Sequence, residues 1–348
     1  MSSSSPAPGG PGHPLAAAAG VHPIPLPTPF PVGDVNAWLI EDDPLTLVDV
    51  GPGSARALVA LEAGLAARGH RIEDLERVVL THEHVDHVGL AAIVVERSGA
   101  EVAAIDLLAP RLADPAGIGR RETRFMARAM QRHGLPSDVA VALVALQQGH
   151  QAWAGDPVPV GRALTAGDRL PFAGRSLEVL YRPGHSMTDT VLLDRERSIA
   201  IGGDHLIGAI SSNPILACDP AALDPRLPAP EAEARVSTLR RYVASLRETA
   251  ALAPAVVLAG HGDAVTDVAG LVAERLRLHE RRKGKILGLL GEGEPASAFD
   301  LARRMWGDTA LKQPFLVISE VLGHLDLLID DDAIVAERAD DVDRWRPR

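Results

Sequence analysis

Cysteine and aromatic residues are scarce in this chain of 348 residues. Cys218 is the only cysteine, which excludes an internal disulfide and a zinc site built from several thiolates. Aromatic residues make up 3% of the chain, whereas apolar residues as a whole make up 46%. We therefore expect a core of Ala, Val and Leu. The length is ample for a large core and indicates one main domain with an appendage.

Basic residues and long apolar runs are also under-represented. The formal net charge of −11 disfavours broad contact with nucleic acid or with acidic membranes. No apolar stretch of the sequence reaches the length of a membrane span. Residues 1–20 are rich in Ser, Pro, Gly and Ala and contain no Lys or Arg. They therefore lack the charged region of a secretory signal, and their composition predicts a disordered leader. In the absence of such a signal we expect a cytoplasmic location.

Four potential metal ligands lie within six residues of one segment. Its sequence is Thr81-His82-Glu83-His84-Val85-Asp86-His87. Imidazole and carboxylate are the ligands that zinc prefers where no thiolate is available. A strand-like stretch precedes the segment and a helix-like stretch follows it. This order predicts a turn at the end of a strand, where active-site residues of α/β folds gather. The alternative is a polar loop with accidental histidines, which so dense a pattern disfavours.

Three later segments place a His or Asp beside glycine, each after an apolar stretch. They are Pro183-Gly184-His185, Gly202-Gly203-Asp204-His205 and Gly260-His261-Gly262-Asp263. Glycine permits tight turns and close approach of the backbone at strand ends. A cage of metal ligands needs both, so these segments are further candidates for the same site.

The ordered set His-x-His-x-Asp-His, Pro-Gly-His, Gly-Asp and Gly-His resembles the metallo-β-lactamase-fold hydrolases. Residues 35–40 and 47–51 look like the opening hairpin of that fold. The resemblance covers roughly residues 23–263. It implies an α/β fold, an αβ/βα sandwich, with metal ions bound at the edges of the sheets. Within the superfamily, the chain looks most like the glyoxalase II or thioesterase-like branch that carries a winged-helix-like appendage.

The resemblance also implies two sets of three ligands joined by a bridging carboxylate. The first set would be His82, His84 and His185, the second Asp86, His87 and His261, and the bridge Asp204. Such a set leaves room for a bridging water between the metals. Two ions about 3.5–4 Å apart can lower the pKa of that water enough to give hydroxide at neutral pH. Asp86 is thereby also the predicted catalytic residue.

The residue at position 84 distinguishes branches of the superfamily. Diiron oxygen-reducing relatives carry glutamate there, whereas this chain has His84. Mono-iron persulfide-type relatives do not use the complete second set of ligands, which this chain retains. The resemblance therefore implies two Zn²⁺ ions per chain, with iron or manganese as alternatives, and hydrolysis rather than redox chemistry.

The sequence predicts two parts after the leader, the first of which contains an insertion. Residues 21–265 form the metallo-β-lactamase-fold domain, and residues 110–157 form a helical insertion within it. A second β-rich half begins at Arg162 and ends near His261, with a helix near residues 232–250. Residues 266–348 form the helical, winged-helix-like appendage. Because the end of this segment is not basic, we expect a lid or a homodimer contact rather than a reader of nucleic acid.

Four arginines recur at every fourth position of the insertion. Arg120, Arg124, Arg128 and Arg132 would form one stripe along a helix. This arginine stripe could bind an anionic group of a substrate, such as the phosphate of coenzyme A or of a carrier protein. A solvated charged face is the favoured alternative.

The predicted function is the hydrolysis of a small thioester or ester, with lactones next. Thr190 stands where many thioesterase and lactonase relatives have a second histidine, which weakens a direct carry-over from glyoxalase II. The glutathione-binding pattern of that family is not recognisable in this chain, so glutathione is not the predicted substrate. The alternative is a metal-dependent endoribonuclease or phosphodiesterase, because the branch with a winged-helix-like tail includes such enzymes. The acidic net charge disfavours this alternative.

Four further side chains lie close to the motifs or on an apolar helix face. Asp49 either orients a ligand histidine from beneath or is an ordinary turn aspartate, with equal weight. Asp189 could orient His185 in the same way. His205 adjoins Asp204 and is expected to support the site rather than to bind metal. His279 lies on the apolar face of its helix, so we expect packing first and pocket lining second.

Overall fold

The computed structural model describes residues 10–291 and 294–348 of the chain. Residues 1–9 of the predicted leader lie outside the described residues. The rest of that leader is not without structure, because Pro14–Ala18 form a short helix (α1). Ala16 is fully buried in the core between the two sheets. The prediction of disorder is therefore wrong for this segment, since a single small apolar side chain anchors it.

The first sheet contains six strands in sequence order. They are Val21–Leu26 (β1), Val35–Ile40 (β2), Thr46–Val48 (β3), Arg77–Leu80 (β4), Glu101–Ile105 (β5) and Arg162–Leu164 (β6). Strands β1 to β3 pair antiparallel, and β3 to β6 pair parallel. Arg162, predicted to open the second half, instead pairs with Ala103 and completes this first sheet.

The second sheet contains five strands. Arg169–Pro171 (β7), Ser176–Tyr181 (β8), Thr190–Asp194 (β9) and Ile199–Gly203 (β10) follow one another along the chain. After a separate two-stranded ribbon, Ala217–Cys218 (β11) with Arg235–Val236 (β12), the strand Val256–Ala259 (β13) pairs parallel with β10. The spatial order is β13-β10-β9-β8-β7, so β13 lies at the edge.

Helices cover the outer faces of both sheets. Ala55–Ala66 (α2), Val85–Val88 (α3) and Ala91–Ser98 (α4) lie in the first half, and Thr238–Leu252 (α8) in the second. Leu61 and Leu65 of α2 are fully buried against the first sheet, and Tyr242 and Leu246 of α8 are fully buried against the second. The inner faces of the two sheets enclose a third apolar core around Trp38. The fold is the α/β, αβ/βα sandwich that the sequence predicts.

Three helices lie between β5 and β6, where the sequence predicts the helical insertion. They are Ala109–Ala113 (α5), Pro115–Arg132 (α6) and Ser137–His150 (α7). Asp114 caps α6, because its Oδ1 accepts a hydrogen bond from the Gly117 amide at 2.8 Å. Phe125, Met126 and Met130 are buried on one face of α6. The insertion therefore has an apolar face that must pack on something outside the two sheets.

The appendage supplies that packing partner. It comprises Val268–Gly291 (α9), Ala298–Trp306 (α10), Thr309–Lys312 (α11), Pro314–Asp330 (α12) and the antiparallel hairpin Ile334–Ala339 (β14) with Val342–Pro347 (β15). The buried residues of α6 and α7 share one apolar core with those of α9, α10 and α12. The appendage and the insertion thus form a single second lobe of the molecule.

The arginine stripe contributes to this lobe by ion pairing. Arg128 Nη1 lies 2.5 Å from Glu231 Oε1, and Arg132 Nη2 lies 2.7 Å from Glu233 Oε1. Arg132 Nε also lies 3.1 Å from Asp343 Oδ1 of β15. Two of the four guanidinium groups are therefore engaged by carboxylates of neighbouring segments, which is a structural use of their charge.

Acid is expected to weaken the contact between insertion and appendage through His133. This side chain is 5% exposed and packs on Trp345 of β15. Burial, assisted by the positive charge of Arg235, lowers the pKa of His133 from 6.5 to about 4. Since the unfolded chain binds this proton near its ordinary pKa, protons favour the unfolded state between these values. The free energy of unfolding should fall as the pH falls through this window, by about 3 kcal/mol in all.

The variant His133→Leu isolates this contribution. Above the ordinary histidine pKa the side chain is neutral in both states and contributes no pH dependence. Chemical denaturation of the wild type and the variant over the acidic range should give a shallower loss of stability in the variant. Identical slopes for the two proteins would contradict the expectation.

Candidate metal centre

The four sequence motifs meet at one edge of the sandwich. The first motif follows β4, and its second half forms α3, which carries Asp86 and His87. His185 lies in the loop between β8 and β9, Asp204 follows β10 directly, and His261 comes shortly after β13. The turn at a strand end that the sequence predicts for the first motif is present in the structure.

All seven sequence-predicted ligands come together at this edge in two groups. The groups are His82, His84, His185 and Asp204, and Asp86, His87 and His261. His84 Nδ1 lies 3.1 Å from His82 Nε2 and 3.0 Å from His185 Nε2. In the second group, His261 Nε2 lies 3.4 Å from Asp86 Oδ2. Each group could hold a metal ion, because its ligand atoms converge within 4.8 Å of one another.

Asp204 lies between the two groups. Its Oδ2 is 3.5 Å from His185 Nε2 of the first group. Toward the second group, Oδ1 is 3.3 Å from His87 Nε2 and Oδ2 is 3.5 Å from His261 Nε2. One carboxylate therefore reaches ligand atoms of both groups, as a bridging ligand must.

In three of the five clustered histidines, the ring nitrogen that points away from the centre is hydrogen-bonded to another group, which orients the ring. His87 Nδ1 donates to Asp49 Oδ2 at 2.8 Å, and His261 Nδ1 donates to the carbonyl of Asp34 at 2.8 Å. His82 Nδ1 lies 3.0 Å from Thr81 Oγ1. Metal-binding histidines in proteins are oriented by such hydrogen bonds to their second nitrogen.

The pKa values of the clustered side chains show how charge is arranged here. Burial lowers the pKa of His82 well below its ordinary value, and it lowers the pKa of His185 to about 4. Burial also opposes a proton on His87, but the carboxylates of Asp204 and Asp49 outweigh it and raise this pKa well above the ordinary value. Burial likewise opposes ionisation of Asp204, yet His87 and His261 hold its pKa well below the usual range. The carboxylates thus require a buried positive charge.

The candidate centre suits metal ions because several of its buried ligand atoms make no hydrogen bond. His87 Nε2, His261 Nε2 and Asp204 Oδ1 are buried and make no well-formed hydrogen bond among the described residues, although His87 Nε2 and Asp204 Oδ1 face each other at 3.3 Å. A buried polar atom without a partner costs about 1–3 kcal/mol. A divalent cation would satisfy these lone pairs and would supply the positive charge that a proton on His87 supplies without it. Imidazole and carboxylate ligands suit zinc, iron and manganese.

The hydrogen bonds of Asp49 show that it orients a histidine of the cluster and is not merely a turn residue. Its backbone has a φ of 59°, a left-handed conformation that is uncommon for a residue other than glycine. Oδ1 accepts from the Thr81 amide at 2.9 Å, and Oδ2 accepts from Thr81 Oγ1 at 2.8 Å as well as from His87. Asp49 therefore fixes both the start of the motif and one ligand ring.

Asp189 does not orient His185. Its Oδ2 accepts from the Ser186 amide at 2.8 Å, and His185 Nδ1 has no hydrogen-bond partner within the described ranges. The prediction is wrong because the Asp189 carboxylate instead accepts a hydrogen bond from a backbone amide of its own loop. His205 turns away from the ligands, since its Nε2 lies 2.8 Å from Thr249 Oγ1 of α8. It supports the packing behind Asp204.

His279 packs in the appendage rather than lining a pocket. It is 1% exposed, and its Nδ1 lies 3.3 Å from His324 Nε2. Glu320 is close to both rings, so the three side chains could in principle hold a cation. However, the guanidinium of Arg282 already pairs with Glu320 at 2.5 Å. The packing interpretation from the sequence agrees with this arrangement.

Sequence reasoning missed a polar group beside the ligands. Glu83, inside the first motif, accepts a hydrogen bond from Thr188 Oγ1, and Arg111 of α5 lies close enough to influence its charge. Arg111 also pairs with Glu122 of α6. The pattern in the sequence offers one signal, which is that Glu83 lies between two ligands. Its partner Arg111 cannot be found without the fold.

A cavity of about 1280 Å³ opens onto the metal ligands. His84, Asp86, His185, Asp204 and His261 line one end of it. Other walls come from α6 and α7 of the insertion and from the start of α12 in the appendage. None of the four arginines of the stripe lines this cavity in the part of the chain that the structure describes. The stripe therefore lies away from the space where a substrate would approach the ligands.

The comparison with known proteins decides the family. The model of the Metallo-beta-lactamase superfamily matches residues 30–261, a range that includes all seven clustered side chains. The chain belongs to the metallo-beta-lactamase superfamily. Over 316 residues it is 33% identical to the probable metallo-hydrolase YqjP of Bacillus subtilis (strain 168), covering 90% of this chain and 93% of that protein. This membership and this relative support a metal-dependent hydrolase.

Solved structures of the superfamily resemble the whole chain. A metallo-beta-lactamase family protein from Thermus thermophilus is 25% identical, with a TM-score of 0.75 over 94% of this chain and 99% of that one. A beta-lactamase domain protein from Burkholderia ambifaria is also 25% identical, with a TM-score of 0.76 over 94% and 92% of the two chains. The likeness extends beyond the residues matched by the family model, so it includes much of the appendage.

None of the helices in the described part of the chain combines the length and the hydrophobicity that a membrane crossing requires.

Proposed function

We propose that this metallo-beta-lactamase superfamily member is a dinuclear zinc hydrolase of small thioesters or esters. The observation that carries the proposal is the position of Asp204, whose carboxylate reaches ligand atoms of both groups. A shared carboxylate is what two adjacent metal ions need. Two-metal sites of this kind activate water and stabilise the developing negative charge on the substrate.

Each ligand has a defined part in this proposal. His82, His84 and His185 would hold one ion, and Asp86, His87 and His261 the other, with Asp204 between them. Metal ions bound there would lower the pKa of a bound water, so that it is ionised near neutral pH, and would act as a Lewis acid toward the carbonyl oxygen of the substrate. Burial opposes ionisation of Asp86, but the hydrogen bond with His261 and the nearby charge of His87 lower its pKa. The carboxylate of Asp86 is therefore ionised and lines the cavity, where it can accept a hydrogen bond from the attacking water.

The charges around the cavity favour an ester over nucleic acid. Arg111 pairs with Glu122, and Arg226 pairs with Asp224 at 2.5 Å. The guanidinium groups of the wall are thus compensated, and the chain as a whole is acidic. Binding of a polyphosphate chain depends on a basic surface that releases counterions. A lactone is an ester and remains compatible with the site, whereas an endoribonuclease or phosphodiesterase is the disfavoured alternative.

The role of the appendage belongs to the same proposal. Phe315 and Leu316 at the start of α12 line the cavity. This position supports a lid or wall that shapes the substrate pocket, in preference to a reader of nucleic acid. We keep the winged-helix-like character, a homodimer contact and a cytoplasmic location as further parts of the proposal.

Metal analysis together with a substrate panel tests the proposed function. Purified protein should contain two metal ions per chain, and zinc should restore activity after removal by a chelator better than iron or manganese. We expect turnover of thioesters and esters that exceeds turnover of a β-lactam or of RNA. Fewer than two ions per chain would overturn the dinuclear assignment. Turnover of RNA alone would overturn the substrate class and favour the nuclease.

A further inference from the structure

Away from the ligands, much of the lining of the cavity is apolar and comes from both halves of the second lobe, alongside charged side chains such as Arg111, Glu122 and Lys312. Ile118, Phe125 and Met126 of α6 and Leu143 of α7 face it from the insertion. Phe315 and Leu316 face it from α12. The region between β10 and α8 adds Ile207, Ile210 and Leu216. A short polar substrate would leave this surface without a partner.

Exposed apolar side chains gather around the same cavity. Among the described residues, twelve large apolar side chains are exposed, and five of them line this space. The five are Val32, Leu107, Leu146, Ile210 and Leu316. They come from five different segments of the chain, so no single amphipathic helix accounts for the grouping. Exposed apolar side chains that gather around one cavity are typical of a binding site.

We propose that the substrate of this enzyme carries a long apolar group, bound between the insertion and the appendage while its ester or thioester bond lies at the metal ligands. The inference rests on the proposed function and names the class of substrate for that site. The volume of about 1280 Å³ exceeds the roughly 300–1,000 Å³ of pockets that hold drug-sized molecules. An acetyl group would fill only a small part of it.

The apolar group can belong to either side of the scissile bond. Hydrolysis adds water across the carbonyl carbon and its ester oxygen or thioester sulfur, giving a carboxylate and an alcohol or thiol. A long acyl chain would leave with the carboxylate, and a long alkyl chain would leave with the alcohol or thiol. The physical basis of recognition is the same, because both transfer methylene groups from water to the apolar wall.

Two substrate series separate these sources. In the first, the acyl group lengthens from acetyl to dodecanoyl on one fixed leaving group, and in the second, acetate esters carry alkyl groups of increasing length. Each buried methylene should raise kcat/KM about fourfold until the wall is covered. A rise in one series identifies the side that occupies the cavity. A flat dependence in both series would overturn the inference.

Two pairs of variants locate the effect at the cavity wall. Leu316 and Leu311 are both 41% exposed in the appendage, but only Leu316 lines the cavity. Leu316→Asp should lower the ratio of kcat/KM for the longest to the shortest ester at least about tenfold, whereas Leu311→Asp should not change it. On α7 of the insertion, Leu146 lines the cavity and Val141 does not, although both are exposed. Leu146→Asp should therefore lower the same ratio, whereas Val141→Asp should not. Equal ratios within both pairs would contradict the proposed location.

The affinity of the protein for the products of hydrolysis tests the apolar site independently of catalysis. Calorimetry of the metal-loaded protein with dodecanoate and dodecanol, against acetate and ethanol, measures occupation of the wall directly. We expect the long ligand of the correct side to bind at least about a hundredfold more tightly, and Leu316→Asp to reduce that difference. Long-chain binding without turnover of any ester would reject the proposed function and retain the apolar site. Turnover of short esters without a preference for long ligands would reject the apolar site alone.

Discussion

Asp86→Ala is expected to lower kcat/KM at least about a thousandfold and to reduce the metal content from two ions to one per chain. Asp86 is the carboxylate of the second ligand group, and its Oδ2 lies 3.4 Å from His261 Nε2. Without it, two histidines and the shared Asp204 remain to hold the second ion. Loss of one metal of a pair removes several kcal/mol of transition-state stabilisation, which corresponds to a rate loss of this size.

Asp263→Ala is the matched control for this experiment. Asp263 lies two residues after the candidate ligand His261 but is exposed and belongs to neither candidate group. Metal content by plasma emission spectroscopy, kcat/KM on the best ester and circular dichroism should be measured for both variants. We expect the control to match the wild type, and Asp86→Ala to keep the wild-type circular dichroism. Two ions per chain and near-normal activity in Asp86→Ala would show that this residue is not a ligand.

Gly260→Ala is expected to lower activity about a hundredfold and to weaken metal binding. A Cβ at this position would lie 2.3 Å from Asp204 Oδ1 and 2.9 Å from His87 Cε1. The backbone of Gly260 cannot easily withdraw, since its amide donates to Gly203 O at 2.6 Å and its carbonyl accepts from the Asn36 amide at 2.7 Å. The carboxylate of Asp204 would have to move, and a displacement of about 1 Å in a catalytic site costs about a hundredfold in rate.

Gly262→Ala provides the comparison two residues away. Gly262 has a φ of +69°, so alanine is strained there, but no described atom lies within 4 Å of its Cβ position. This variant should lose about 1 kcal/mol of stability while keeping its metals and its activity. Titration of both variants with zinc, together with their thermal unfolding, distinguishes the two effects. Wild-type zinc affinity in Gly260→Ala would contradict the role assigned to this glycine.

The clustering of the candidate ligands could be predicted from the sequence, because each of them lies in a short motif at a strand end. Such motifs carry their own geometry, since glycine and a preceding apolar strand fix where the side chain emerges. Asp49 and Asp189 show where this reasoning stops. Both lie near a ligand in the fold, but only Asp49 has a left-handed backbone and a hydrogen bond to a histidine of the cluster. The hydrogen bonds of Asp49 join residues more than thirty positions apart, so the local sequence alone does not predict them.

The errors in the fold have a similar physical cause. The strand that begins at Arg162 is three residues long, too short for periodicity to say which sheet it joins. The helix α6 could be predicted from its pattern, but the surface that buries its apolar face could not. That surface comes from a segment more than a hundred residues later in the chain. Arg111 and Glu83 escaped notice for the same reason, because long-range pairs of charges require the fold.

The two ligand groups each draw on both sheets of the sandwich. His82, His84, Asp86 and His87 follow strand β4 of the first sheet, whereas His185, Asp204 and His261 follow strands of the second. Each bound ion would therefore act as a cross-link between two halves of a chain whose only cysteine cannot form one internally. Metal supply would then govern how long the protein survives as well as how fast it works. A cell short of metal would hold a chain whose halves separate more readily at the catalytic edge, and proteases would reach that edge first.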